Sequence, residues 1–170
     1  MIIRRISPAD GPHLKTLRLA ALQDAPYAFS ARYEDTLTRS DADWASEADR
    51  HSYGLASSTF LAFADDAEPL GMSGCFCDRE QKELAHLVAV WVKPAYRGTG
   101  VSAALIQEAI QWARSANCSA ISAWVTEQNV RAIRCYEKLG FIKHEIHRPS
   151  LHTKITREVL TLKSLNKESA

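Results

Sequence analysis

The sequence predicts an α/β protein, in which a mixed sheet carries helices on both of its faces. Short turns separate the apolar segments in the middle of the chain, which is typical of antiparallel strands. Between residues 84 and 126 an apolar run, a helical pattern and a second apolar run follow one another, which indicates a βαβ unit. The predicted order is β-α-α-β-β-β-α-β-α-β-β. The length, 170 residues, suits one domain, expected over residues 1–165 with a frayed tail at 166–170.

The first part of the chain predicts one strand and two helices. The strand is predicted over residues 2–6, and the helix after it ends at Pro26. One face of that helix carries Leu14, Leu17, Arg18, Ala21 and Leu22. Asp41 or Asp43 is predicted to cap a second helix that runs to about Arg50.

Three strands are predicted in the middle of the chain. They cover residues 59–64, 70–77 and 84–92, and the third is the most apolar. Polar turns at 65–69 and 78–81 separate them. Such short connections predict a meander of neighbouring antiparallel strands.

The last part of the chain alternates helices with strands. Helices are predicted over residues 98–116 and 129–139, and Asn129 is predicted to cap the second of them. Strands are predicted over residues 119–126, 141–146 and 157–162. The first of these strands completes the βαβ unit, and the other two close the sheet.

Composition excludes several classes of protein. The net charge of +1 lacks the basic surplus of nucleic-acid-binding domains. No apolar run reaches the length of a membrane span, and the start Met1-Ile-Ile-Arg-Arg lacks an apolar leader. The four cysteines lack zinc-type spacing, so no metal is expected. Reduced thiols in a cytoplasmic protein are the interpretation that we favour.

An anion-binding site is predicted where the apolar run ending at Val92 meets a glycine-rich turn and then a helix. Gly98 and Gly100 permit a close approach of the backbone to a ligand. The first N–H groups of the helix have no partner inside it, and the helix dipole favours negative charge there. Arg97 adds a full positive charge, so this segment is predicted to bind phosphate.

Two known phosphate-binding motifs explain this segment poorly. A P-loop needs Gly-Lys-Ser/Thr after four spacer residues, and that pattern is absent. Gly98, Gly100 and Ala103 satisfy the Gly-x-Gly-x-x-Gly/Ala pattern of dinucleotide-binding domains, which would predict an NAD(P)-dependent oxidoreductase. That pattern usually opens a large parallel sheet, whereas here three predicted meander strands precede it.

A third motif explains more of the chain. The segment from Val92 to Ser102 resembles the acyl-CoA pyrophosphate loop of the GNAT superfamily of N-acetyltransferases, whose pattern is Gln/Arg-x-x-Gly-x-Gly/Ala. Arg97 and Gly100 match this pattern, and Ser102 replaces its last residue with another small one.

A second signature lies downstream. The stretch from Asn129 to Phe141 resembles the family's Asn-x-x-Ala-x-x-x-Tyr-x-x-x-Gly-Phe helix, with Ala132, Tyr136 and Gly140 in register. Two motifs in the family's order are far more specific than either alone, and they identify the chain as a GNAT-type fold.

The resemblance implies that acetyl-CoA is the cosubstrate. Backbone N–H groups from Arg97 to Ala103 are expected to hold its pyrophosphate, and its pantetheine arm is expected where the strands splay near Val90 to Val92. The N–H of Val90 or Trp91 is expected to polarise the thioester carbonyl. The expected cofactor-binding residues are Val90, Trp91, Val92, Arg97, Gly98, Thr99, Gly100, Val101, Ser102, Ala103, Asn129 and Tyr136.

Two residues are expected to be catalytic. Tyr136 matches the family's general acid, and a phenol with a pKa of about 10 exchanges a proton with a thiol of pKa about 8.5 at little cost. His86 stands where many relatives have Glu, and a histidine with a pKa of about 6.5 suits a general base. A packed core tyrosine, a hydrogen-bonded structural histidine and a purely capping Asn129 are the alternatives.

Residues 25–50 resemble the acceptor-binding part of the family. Phe29, Tyr33 and Glu34 are expected to contact the acceptor, and the acid would attract a cationic amine. Packing under a long connection is the alternative. The acceptor itself, a small-molecule amine or a peptide or protein amine, stays open, as does a homodimer.

The predicted function is therefore N-acetyl transfer from acetyl-CoA to a primary amine, by direct attack in a ternary complex. No metal, nucleic acid or membrane takes part. A non-catalytic acyl-CoA sensor and an NAD(P)-dependent oxidoreductase are the alternatives, and another acyl group, such as succinyl or propionyl, is compatible with the same motifs.

Overall fold

The computed structural model describes residues 1–65, 67–149 and 157–165, and these form a mixed sheet with helices on both faces. The strand order in this part of the chain is β1-β2-β3-β4-β5-β7-β6. The strands are β1 Ile2–Arg5, β2 Ser57–Phe63, β3 Pro69–Cys77, β4 Leu84–Val92, β5 Ala120–Thr126, β6 Ile142–Pro149 and β7 Arg157–Ser164. Only β4 and β5 pair in parallel among these strands. The predicted fold class is confirmed; the proposed frayed tail at 166–170 lies outside the described residues.

The helices follow the predicted order, with one short addition. They are α1 Gly11–Asp24, α2 Tyr33–Leu37, α3 Asp41–Ser52, α4 Val101–Ser115 and α5 Val130–Lys138. Helix α2, a single turn, was not predicted. The N-cap of α3 is Ser40 rather than Asp41 or Asp43, because the Ser40 hydroxyl accepts from the Asp43 N–H while the Asp43 carboxylate accepts from the Ser40 N–H.

The sheet has a separate apolar core on each face. Helix α4 covers one face, where Leu105, Ile106 and Ile110 are almost fully buried. Helices α1 and α3 cover the other face with Leu17 and Trp44. Each face of the sheet is therefore covered by a helical layer over an apolar core.

Strand β4 contains the irregularity that shapes the molecule. Ala89 has a positive φ of 53°, and the pairing of β4 with β3 shifts register at this point. Before the bulge, Leu87 faces the α4 core; after it, Val92 does so and Trp91 faces the α1 core. The bulge thus reverses which side chains point to which face.

The pairing of β4 with β5 ends before the bulge. It covers only three residues of each strand, from Leu84 opposite Ala120 to His86 opposite Ser122. The strands separate from there on, while β5 pairs with β7 on its other edge along its whole length. The predicted splay is present, but it begins at His86 rather than near Val90.

A buried aspartate ties β1 to α1. Asp10 is 2% exposed and accepts hydrogen bonds from the Arg4 guanidinium at 2.6 and 2.9 Å, and from the Ser7 N–H and hydroxyl at 2.7 Å. The His13 ring lies 3.0 Å away. Burial alone would raise the pKa of Asp10, but these hydrogen bonds outweigh it and hold the pKa far below its ordinary value.

Replacing this carboxylate should destabilise the fold in a pH-dependent way. Asp10→Asn is expected to lower the free energy of unfolding at pH 7 by about 3 kcal/mol, because a buried charge-assisted network loses its acceptor. Because the pKa of Asp10 is lower in the folded than in the unfolded chain, the contribution is present above about pH 4 and is lost as the pH falls below that value. Urea denaturation at a series of pH values measures it.

The control for Asp10→Asn is Asp41→Asn. Asp41 pairs with Lys15 on the surface and its side chain is 90% exposed, so its loss should leave the unfolding free energy almost unchanged. Equal effects of the two substitutions would contradict the role assigned to Asp10.

Candidate active site

A cleft opens between the separated strands β4 and β5, with a volume of about 730 Å³. The predicted residues Val90, Trp91, Val92, Arg97, Gly98, Ser102, Asn129, Tyr136 and Phe29 line it. Its walls come from the end of β4, the loop before α4, the helix α5 and the segment after α1. Two motifs that are far apart in the sequence are thereby brought to one cavity.

The loop before α4 has backbone donors without backbone partners beside this cleft, which Gly98 and Ser102 line while Thr99, Gly100, Val101 and Ala103 lie outside its lining. Gly98 and Gly100 have φ values of 83° and 91°, which L residues rarely adopt, so the helix begins at Val101 rather than at the predicted residue 98. Within the described chain, the Arg97 N–H binds Pro94 O, and the next N–H with a backbone acceptor belongs to Ala104.

The donors in between suit an anion. The N–H groups from Gly98 to Ala103, including those of Thr99 and Val101, lie at the positive end of a 15-residue helix. The Thr99 hydroxyl donates to Tyr96 O at 2.7 Å, and the Val101 side chain is buried, so these two residues offer only their backbone. The arrangement fits a pyrophosphate held by main-chain hydrogen bonds.

Arg97 is engaged within the protein. Its Nε donates to Val92 O at 3.0 Å, and its terminal nitrogen forms an ion pair with Asp24. Asp24 also accepts from the Trp91 indole at 2.8 Å. Burial acts to raise the pKa of Asp24, but the hydrogen bonds from Trp91 and Arg97 outweigh it, so the pKa lies below its ordinary value. In this arrangement the Arg97 side chain positions the loop.

Asp24 is a cleft residue that sequence reasoning missed. It is the last residue of α1, where a negative charge opposes the helix dipole. This unfavourable position could have indicated a role for Asp24 from the sequence, because a carboxylate at a helix C-terminus needs a cationic partner from another element.

Tyr136 lies in the cleft wall contributed by α5. It is 8% exposed, its ring centroid lies 5.3 Å from that of Phe141, and its hydroxyl forms no hydrogen bond with any described residue. Burial raises the pKa of its phenol, and the nearby Cys135 raises it further. The hydroxyl therefore stays protonated at neutral pH, as a proton donor requires.

Asn129 serves as a cap and also reaches the cleft. Its side-chain oxygen accepts from the Ala132 N–H at 3.1 Å, which makes it the N-cap of α5. It also lines the cleft, so capping and ligand contact are compatible.

His86 lies apart from the cleft residues. Its Nε2 is 2.8 Å from the Asp78 carboxylate and its Nδ1 is 2.8 Å from the Ser122 hydroxyl. It sits where β4 and β5 are still paired, and it is not among the residues that line the cleft. Both ring nitrogens are occupied, so its proposed role as a general base receives no geometric support and stays a prediction.

The three expected acceptor residues are separated. Phe29 is buried and lines the cleft. Tyr33 packs at the edge of the α1 core. Glu34 is 71% exposed and faces Arg32 at 3.7 Å on the surface, away from the cleft.

The described residues offer neither a cluster of metal ligands nor a membrane-spanning helix. No group of three or more His, Cys, Asp or Glu side chains in this part of the chain suits a metal ion. No described helix combines the length and the apolar composition that crossing a bilayer requires.

Comparison with known proteins decides the family. The sequence profile of the acetyltransferase (GNAT) family matches residues 19–141, which is most of the chain. The chain belongs to the GNAT family. The family predicted from the two motifs is thus confirmed, and acetyl-CoA is the cosubstrate of this family.

Curated relatives of this GNAT chain are also N-acetyltransferases. An uncharacterized N-acetyltransferase of Methanocaldococcus jannaschii is 33% identical over 91 residues, which are 51% of this chain and 40% of that protein. The chain spans about half the length, or less, of several curated relatives that it matches. An aminoglycoside N(6')-acetyltransferase of Stenotrophomonas maltophilia is 27% identical over 84% of this chain and 87% of its own length.

The fold has close counterparts among solved structures. A phosphinothricin acetyltransferase of Sinorhizobium meliloti, crystallised with acetyl-CoA, superposes with a TM-score of 0.81 at 15% identity. The superposition covers 99% of this chain and 90% of that one. At this identity the likeness shows the shared fold.

Substitution of Gly100 should separate ligand binding from stability. An alanine at φ 91° costs about 1–2 kcal/mol unless the loop changes conformation, and either response misplaces the N–H donors. Gly100→Ala is therefore expected to weaken CoA binding by about tenfold or more, measured by titration calorimetry.

Gly54→Ala is the matched control for Gly100→Ala. Gly54 has a φ of 70°, and a Cβ there would also meet no atom within 4 Å, but it lies in the connection between α3 and β2. It should lose similar stability and retain full CoA affinity. Unchanged CoA affinity in Gly100→Ala would contradict the assignment of the pyrophosphate site to this loop.

Proposed function

We propose that this GNAT protein transfers the acetyl group of acetyl-CoA to a primary amine by direct attack in a ternary complex. The carrying observation is the row of unpartnered N–H groups from Gly98 to Ala103 beside the opening between β4 and β5. An anion-binding helix start next to an unpaired strand edge suits a ligand that has a diphosphate and an extended amide-containing arm.

The edge of β4 offers backbone groups to that arm. The Lys93 N–H donates to Leu70 O on β3 at 2.8 Å. Neighbouring residues of a strand direct their backbone groups to opposite sides, so those of Val92 and Val90 point toward the cleft. The Val92 carbonyl accepts from Arg97 in the same direction. The Val90 N–H is our choice for the donor that stabilises negative charge on the carbonyl oxygen.

The reaction then needs no covalent enzyme intermediate. The amine nitrogen bonds to the carbonyl carbon, the carbon–sulfur bond breaks, and the thiolate takes a proton as it leaves. Tyr136 is our choice for that proton donor, because its hydroxyl is protonated, lines the cleft and has no partner among the described residues. The raised pKa of the Tyr136 phenol makes proton transfer to the CoA thiolate less favourable. Tyr136 therefore assists the departure of a thiolate that can also leave without a proton.

The acceptor we propose is a small-molecule amine. Curated relatives are named for glucosamine 6-phosphate, an aminoglycoside and mycothiol chemistry, and these names describe those proteins. A peptide or protein amine belongs in the test panel. The reaction is complete when the amine of the acceptor loses a proton, either to water in the cleft or to His86. An unchanged pH profile of kcat/KM in a His86→Gln variant would favour water.

The function is tested by binding and turnover together. Titration with CoA should give a saturable signal, and release of the CoA thiol from acetyl-CoA should depend on an added amine. CoA binding without turnover over a broad amine and peptide panel would favour the acyl-CoA sensor. A thermal shift with NAD(P)H but not with CoA would favour the oxidoreductase. Either of these two results would contradict the proposed acetyl transfer.

Tyr136→Phe should reduce the rate without abolishing it. The expected fall in kcat is about ten- to hundredfold with little change in the KM for acetyl-CoA, since only proton delivery is lost. Steady-state kinetics of thiol release measures it.

Tyr53→Phe is the control for this substitution. Tyr53 is 61% exposed at the end of α3, and its loss of a hydroxyl should leave kcat unchanged. An unchanged kcat in Tyr136→Phe would contradict the acid role, as would a fall in kcat that merely follows a lower melting temperature.

A further inference from the structure

A second cavity, of about 320 Å³, lies on the face of the sheet that α1 and α3 cover. It meets the acetyl-CoA cleft at the bulge of β4. Val88 and Ala89 line the second cavity, whereas Val90 and Trp91 line the cleft. A molecule in the second cavity therefore approaches the same stretch of backbone as the thioester, but from the other side.

Arg18 of α1 projects to this cavity and to the boundary between the two. It lines the second cavity, and its guanidinium carbon lies 5.2 Å from the centroid of the Phe29 ring, which lines the cleft. Among the described residues Arg18 forms no hydrogen bond and no ion pair. The guanidinium fork is thus half-buried with its donors unused.

Most of the other polar side chains of the cavity are already paired. Glu47, the acidic residue of its lining, binds the Arg39 guanidinium at 2.5 Å. His51 lies 2.8 Å from the Thr59 hydroxyl, and burial lowers the pKa of its ring, so it is neutral near pH 7. The Ser58 hydroxyl donates to the backbone of α3.

The charges of this region do not cancel. Arg18 and Arg39 are positive and Glu47 is negative, which leaves one positive charge in excess at the cavity. Desolvation lowers the pKa of Arg18, while Glu47 partly offsets this effect and Arg39 adds to it. An unpaired charge that is partly removed from water is less favourable than one that a ligand compensates.

We propose that Arg18 binds an anionic group of the acceptor, so that the preferred substrates are amines that also carry a carboxylate or a phosphate. Both groups accept two parallel hydrogen bonds from one guanidinium. The anionic group occupies the second cavity and directs the amine toward the bulge, where the thioester lies. This inference rests on the proposed acetyl transfer and assigns the substrate class of the same site.

Matched pairs of acceptors test the inference. An α-amino acid is compared with its amide, which reports on a carboxylate, and glucosamine 6-phosphate is compared with glucosamine, which reports on a phosphate. The wild type is expected to favour the anionic member of at least one pair by tenfold or more in kcat/KM. Equal kcat/KM within both pairs would overturn the inference, although acetyl transfer itself would stand.

Variants of Arg18 sharpen this result. Arg18→Gln is expected to raise the KM for the anionic acceptor by about ten- to hundredfold and to leave that for the neutral amine unchanged. Arg18→Lys should recover part of the preference, since it restores the charge without the fork. The melting temperature of ligand-free Arg18→Gln should equal or exceed that of the wild type, because an unpaired charge is removed. A lower melting temperature together with an unchanged preference would show a structural role instead.

Arg114→Gln is the matched control, because Arg114 is exposed near the end of α4 and lines neither cavity. Its acceptor preference should equal that of the wild type.

If none of the tested acceptors is acetylated, the inference is tested by ligand binding instead. CoA is added first, so that it fills the anion site at the loop before α4. Inorganic phosphate or acetate should then raise the melting temperature of the wild type but not that of Arg18→Gln. The same response in both proteins would overturn the inference. A protein that binds no CoA would instead contradict the proposed function, so the two failures are distinguishable.

Discussion

The sheet of this protein depends on one constraint, which is that β4 cannot keep a partner on both edges along its whole length. Pairing with β5 stops at His86, and the positive φ of Ala89 then turns the strand and reverses its faces. The cleft, the cleft-facing backbone of Val90 and Val92, and the contact between the two cavities all lie at this break.

Two arginines near this break have opposite environments. Arg97 is held by Asp24 and Val92 O, so its charge is neutralised within the protein. The anion site beside it relies on main-chain donors, which need no side-chain reorganisation when a ligand arrives. Arg18 has no such partner among the described residues. The charge of Arg97, which positions the loop, is thus neutralised within the protein, whereas the charge of Arg18, which faces the second cavity, is not.

Much of the fold follows from local pattern. Apolar periodicity and turn residues predicted the strand and helix order, and two spaced motifs predicted which residues from the α4 loop and α5 meet. The bulge at Ala89 was unpredictable, since alanine carries no signal for a positive φ and the cause lies in strand pairing. The role of Asp24 and the contact of His86 with Ser122 were missed for a similar reason, because both depend on contacts between elements distant in sequence. Glu34, expected on charge alone to contact the acceptor, is exposed on α2 outside the lining of the cleft, and its role stays a prediction.

The link from Arg97 through Asp24 to Trp91 attaches both sites to one helix. Asp24 ends α1, the helix that also carries Arg18 about one and two-thirds turns earlier. A substitution that displaces α1 would therefore disturb the support of the loop before α4 and the lining of the second cavity together.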